Sequence, residues 1–154
     1  MPLQSSLQPA STQRAPAFYG FDHIDCRVRS LALVESFYDE LMPQIGLPEK
    51  RYAYVDPSGE WHGEYDAYNA IEYYEASHST EPRRFFGLIE NPIHRINETR
   101  IAFRVERERL RDLIAFLHSI GANNIEISDQ MDIYPAVFFE DPGGTRLELI
   151  GRDV

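Results

Sequence analysis

Thr99-Arg-Ile-Ala-Phe-Arg-Val105 repeats, late in the chain, a pattern first met in Asp22-His-Ile-Asp-Cys-Arg-Val28. In both stretches apolar and polar residues alternate, the period of a β-strand with unlike faces. Ile24, Cys26 and Val28 make the apolar face of the first, leaving His23, Asp25 and Arg27 on the other. Ile101, Phe103 and Val105 match that apolar set in the second, with Arg100, Ala102 and Arg104 opposite. The chain therefore reads as one module written twice. Asp25 and Arg27, on the inward face, are expected to form an ion pair.

The segments after the two strands support the repeat. Ser30 is placed to cap a helix whose stripe is Leu31, Val34, Phe37, Tyr38 and Leu41, ended by Pro43 and Gly46. The second copy has Leu110, Leu113, Ile114, Leu117 and Ile120, ended by Gly121. Extended segments come after both helices. In the first half these are Arg51 to Val55, then Trp61 to Ala76, which is thick with tyrosine and divides near Asp66 to Asn69. In the second half they are Asn124 to Ile127, Tyr134 to Glu140, and Thr145 to Ile150, the last two joined by a turn at Asp141-Pro-Gly-Gly144.

The expected fold is α+β: two tandem βαβββ modules whose sheet curves around a cavity. The first module covers about 18–76, a connector 77–98, and the second module 99–151, all within one domain spanning 18–154. The connector carries an apolar run, Phe85-Phe-Gly-Leu-Ile89, and a connector this long is often functional or interfacial. By parity Leu147 and Leu149 take the helix side, while His23, Arg100 and Glu148 line the inner side.

Composition narrows the function. The chain has 154 residues, is 43% hydrophobic and 26% charged, and carries a formal charge of -10. That charge argues against nucleic acid and against an anionic membrane surface. No apolar run is long enough to span a bilayer. Residues 1–17, rich in Ser, Gln, Pro and Ala, read as a flexible tail without the apolar stretch of a signal peptide. The single cysteine, Cys26, excludes an intrachain disulfide and reads as a buried, inert thiol. A cytoplasmic protein is expected. No phosphate-loop pattern surrounds Gly143-Gly144, so no nucleotide cofactor is expected.

The repeated module, its Asp-His-Ile-Asp-Cys-Arg-Val opening with the Ser-Phe-Tyr helix after it, and its Glu-Asp-Pro-Gly-Gly-Thr-Arg-Leu-Glu-Leu-Ile close resemble the vicinal oxygen chelate superfamily. That superfamily includes glyoxalases, extradiol dioxygenases, fosfomycin-resistance enzymes and bleomycin-resistance proteins. The resemblance runs from about Ala17 to Gly151. It implies one metal ligand from the first strand and one from the last strand of each half. On this chain the positions fall on His23, Glu148 and, with a looser register shared with Glu75, Glu72. The fourth, commonly histidine, is Arg100.

A guanidinium offers only donors and cannot replace an imidazole on a cation. Two readings are open. In one the metal site is incomplete, Arg100 pairs with Glu148 or Glu72, and a pocket between the modules binds an anionic or aromatic small molecule. In the other His23, Glu72 and Glu148 hold Zn, Mn, Fe or Ni for a lyase, isomerase or dioxygenase, with Glu148 or Glu72 relaying a proton. A drug- or metabolite-sequestering protein is the third alternative. Arg100, Tyr74, Tyr134 and Trp61 are the candidate pocket residues. His62, His78, His94 and His118 read as surface or loop histidines. The resemblance also implies a homodimer.

Overall fold

The computed structural model describes residues 17–18, 20–63, 67–77 and 83–153. The expected tail, His78 and part of the turn near Asp66 lie outside them. Strand β1 (His23–Val28) leads into helix α1 (Leu31–Gln44), then β2 (Glu49–Val55), a two-residue β3 (Trp61–His62), β4 (Ala70–Tyr74) and β5 (Phe85–Glu90). The second copy is β6 (Arg100–Glu106), α2 (Leu110–Ser119), β7 (Asn123–Ile127), β8 (Ala136–Glu140) and β9 (Arg146–Arg152). Among the described residues no helix is long and apolar enough to cross a membrane.

The two modules form two separate sheets, ordered β1-β5-β4-β2-β3 and β6-β9-β8-β7. In each, the first strand pairs in parallel with the last, and the remaining pairs are antiparallel. The first sheet corrects the boundary drawn from sequence. Its closing strand is β5, inside the stretch expected to be a connector, so the first module extends to Glu90. Glu72 accordingly lies on the penultimate strand.

The apolar faces of both sheets and the helix stripes merge into one core. It includes Phe37, Tyr38, Leu41, Phe86 and Leu88 of the first module with Leu113, Leu117, Phe139, Leu147 and Leu149 of the second. Phe37 meets Phe139 at 6.3 Å between ring centroids, and Phe86 meets Phe103 at 5.5 Å. The strand parity holds: Leu147 and Leu149 are fully buried on the helix side, and Glu148 points the other way.

Helix α1 is anchored by its own sheet. The Ser30 side chain makes no capping bond; Glu90 Oε2 instead accepts the Leu31 N–H at 2.7 Å. Both helices end against glycines with positive φ, Gly46 at 101° and Gly121 at 88°, where a side chain would be strained. A buried bond ties the modules together. Tyr38 on α1 donates to Asp141 Oδ2 at 2.6 Å, and Asp141 Oδ1 accepts the amides of Gly143 and Thr145 at 2.8 and 2.9 Å. Burial, with the Asp141 carboxylate beside it, pushes the Tyr38 hydroxyl well above the usual phenol range.

Candidate functional site

Strand register sets the open face of each sheet. On the first, the row His23–Phe85–Tyr74–Glu49 lies beside the row Asp25–Gly87–Glu72–Arg51. On the second, Arg100–Arg146–Glu140 lies beside Ala102–Glu148–Phe138–Glu126. Superposing the modules by these pairings matches Arg100 to His23, Ala102 to Asp25, Phe138 to Glu72, and Glu148 to Gly87. The position that carries a carboxylate in the second module carries glycine in the first.

The first face is organised by stacking and charge. The His23 ring lies 4.5 Å from that of Phe85 with 4° between planes, and Phe85 packs on Tyr74 at 4.7 Å. Arg51 and Arg83 sit over the Tyr74 ring at 4.6 and 5.1 Å, and Arg83 also pairs with Glu49. Tyr74 donates to Glu72 Oε2 at 2.8 Å, and its hydroxyl is pushed up to about 12 by burial, then by that bond. His23 Nδ1 meets Asp22 Oδ1 at 2.6 Å, and Nε2 lies 3.9 Å from Asp25 Oδ2. The bond to Asp22 raises the His23 pKa. Burial opposes it, and the nearby Asp25 and Glu72 carboxylates add to the rise. Among the described residues Asp25 makes no ion pair with Arg27; its ionisable neighbour is His23.

The second face centres on Glu148, which is only 5% exposed. Tyr134 donates to its Oε1 at 2.6 Å, and that bond holds the Tyr134 hydroxyl above its ordinary range. Arg100 does not pair with Glu148 or Glu72. Its guanidinium lies over the Phe138 ring at 4.6 Å, and Phe138 and Tyr134 are near-parallel at 6.5 Å. A depression of about 440 Å³ opens beside them, lined by Glu126, Asp129, Gln130, Tyr134 and Phe138 among others.

The expected site residues are thus divided between two faces. Glu148, Tyr134 and Arg100 share one; His23, Glu72 and Tyr74 share the other. Trp61 lies on β3, at the far edge of the first sheet. A groove of about 280 Å³ does run between the modules, lined by Asp25, Cys26, His94, Ile101 and Arg146 among others. Neither His23 nor Glu148 lines it. Burial pushes the Cys26 thiol up to about 11, in keeping with an inert side chain.

Among the described residues, the set of His, Cys, Asp or Glu donor atoms lying within 4.8 Å of one another is Asp56, Glu60 and His62, at the β2–β3 turn. His23, Glu72 and Glu148 do not form such a set. The turn itself accounts for that cluster, since Asp56 Oδ1 accepts the amides of Ser58 and Glu60 and the Ser58 hydroxyl. Sequence reasoning missed Asp22 and Phe138. Asp22 was recoverable, because a carboxylate adjacent to a strand histidine can reach its ring; the role of Phe138 depends on a strand pairing that no local pattern encodes.

No family model and no curated protein matches the chain. Solved structures do. A glyoxalase/bleomycin resistance protein from Albidiferax ferrireducens aligns over 86% of this chain and 98% of its own at 20% identity, with a TM-score of 0.56. The fosfomycin resistance protein FosX from Listeria monocytogenes, complexed with Mn(II) and a dihydroxypropylphosphonic acid, aligns over 88% and 94% at 15% identity, TM-score 0.53. FosX from Mesorhizobium loti aligns over 89% and 94% at 12% identity, TM-score 0.55. At these identities the likeness is one of fold. The chain has the fold of the vicinal oxygen chelate proteins, as its repeated module and closing motif led one to expect.

Proposed function

We propose that the protein binds a small molecule on the open face of its second sheet, with Glu148 at the centre of the contact. One observation carries this reading. Glu148 is withdrawn from water yet turned away from the core, and its side-chain partner among the described residues is a phenol. A carboxylate so placed keeps acceptor capacity that its surroundings do not use. Arg100 and the paired rings of Phe138 and Tyr134 stand beside it. Together they suit an aromatic hydroxy acid, with its ring on the aromatic pair, its anionic group on Arg100 and its hydroxyl donating to Glu148. The adjoining depression has the volume of a small-molecule site.

Calorimetric titration with a panel of aromatic hydroxy acids tests this. A member of the panel binds the wild type, and both Glu148→Gln and Arg100→Ala weaken it about tenfold or more. Equal binding to wild type and both variants, or binding to none of the proteins, overturns the reading.

A second reading, a divalent-metal-dependent lyase, isomerase or dioxygenase, is favoured by the Asp22–His23 pair. An ionised carboxylate only accepts, so the shared proton sits on Nδ1, and whenever the ring is neutral its lone pair is on Nε2. This is the carboxylate–histidine arrangement that orients metal ligands. His23 fits Zn, Mn, Fe or Ni; Arg100, a donor-only cation held over the Phe138 ring, does not. A cation bound here would supply Lewis-acid polarisation of vicinal substrate oxygens. Glu72 and Glu148, each tied to a tyrosine, are the groups that could hold or move a proton. Elemental analysis of the purified protein tests this reading: a stoichiometric metal lost in His23→Ala supports it, and a metal-free wild type that takes up none counts against it.

A homodimer completes the proposal. β1 and β6 are edge strands, and His23, Asp25, Arg27, Arg100, Ala102 and Arg104 on their open sides are exposed. Unprotected edges favour association. Light scattering on the eluting protein is expected to give twice the chain mass, and a monomer at micromolar concentration argues against the dimer.

A further inference from the structure

We infer that Asp25 is a second ligand, beside His23, for a divalent cation on the open face of the first sheet. This rests on the metal-dependent reading and extends it to a residue that the resemblance does not supply.

Three observations converge on Asp25. First, Asp22 holds the His23 ring so that Nε2, rather than Nδ1, faces Asp25. Second, Nε2 and Asp25 Oδ2 are 3.9 Å apart. That is too far for a hydrogen bond, but within the span of two ligand bonds of about 2.0–2.2 Å each. Third, the space that Asp25 occupies exists because residue 87 is glycine. A Cβ at Gly87 would overlap Asp25 Oδ1.

The repeat explains why the glycine matters. Gly87 stands where the second module has Glu148, and Asp25 stands where the second module has Ala102. The first module has thus moved its carboxylate one strand across, from the last strand to the first. The glycine on the last strand makes room for it. Nitrogen from an imidazole and oxygen from a carboxylate suit a borderline divalent ion such as Zn(II) or Mn(II). Both side chains are partly exposed, 44% for His23 and 30% for Asp25, so a cation could enter and keep open positions for oxygen ligands.

The test is calorimetric titration of metal-stripped protein with Mn(II) and with Zn(II), using wild type, Asp25→Asn, Gly87→Ala, His23→Ala and His62→Ala. Thermal melts without metal first establish that each variant is folded. The expected result is one site in the wild type and in His62→Ala, none in His23→Ala, and an affinity lower by about tenfold or more in Asp25→Asn. Gly87→Ala is expected to weaken binding as well. It leaves every donor in the chain and only pushes the Asp25 carboxylate aside, so it reports placement rather than loss of charge. Wild-type affinity in both Asp25→Asn and Gly87→Ala, with binding lost in His23→Ala, overturns the role of Asp25 and leaves the metal reading standing. Absence of binding to the wild type overturns both. Loss of binding in His62→Ala, with Asp25→Asn unaffected, places the cation at the β2–β3 turn and overturns the inference.

Discussion

Asp141→Ala is expected to lower the unfolding free energy by roughly 3–5 kcal/mol, because it leaves buried donors without an acceptor at about 1–3 kcal/mol each. Asp141 is fully buried, and the truncation leaves three donors without an acceptor. These are the Tyr38 hydroxyl and the amides of Gly143 and Thr145. Tyr38→Phe is the informative control. It removes one donor to the buried carboxylate and keeps the two turn amides satisfied, so a loss of about 1.5–3 kcal/mol is expected, the range for a hydrogen bond to a charged group. Urea melts of the two variants measure both values. If the two losses are equal, the turn bonds contribute nothing, and the link between α1 and the β8–β9 turn is the whole effect.

Phe86→Ala is expected to remove about 3–5 kcal/mol, the usual range for truncating a buried aromatic ring. Phe86 touches Tyr38 within its own module, at 5.6 Å, and Phe103 in the other, at 5.5 Å. The cavity would open in the shared core, not in a core private to the first module. Both modules are therefore expected to lose stability together. Trp61 fluorescence reports on the first sheet and far-ultraviolet circular dichroism on the whole chain, and in Phe86→Ala the two transitions should coincide. Separate transitions would mean that each module has a core sufficient to itself.

Much of this architecture could be read before the structure. The alternation in His23–Val28 and Arg100–Glu106, the helix stripes, the terminating glycines and the parity around Glu148 are local patterns, and local patterns survive in sequence. The closing strand of the first module was hidden for a physical reason. Phe85–Glu90 runs between two neighbours and is buried on both faces along most of its length, so alternation disappears from it. Its glycine also breaks the match to Leu147-Glu148-Leu149. The segment Ile71-Glu72-Tyr73 imitates that motif instead, and it drew the ligand assignment to the strand before the closing one. The division of the candidate residues between two faces was equally hidden, since it depends on how the modules pack and not on either one.

The pairing of each module's first strand with its last has a bearing on how the chain is made. Among the described residues β1 has one neighbour, β5, and β6 has one neighbour, β9. On the ribosome the opening strand of each copy must wait, unpaired, for its closing strand to emerge. The first sheet can close once Glu90 is clear of the exit tunnel, but the second stays open until Arg152 has emerged. The wait is also a loop-closure problem, because every such pair joins residues far apart in sequence. Until then Ile101, Phe103 and Val105 lie on an unfinished edge, as Ile24, Cys26 and Val28 do until Phe85–Glu90 emerges.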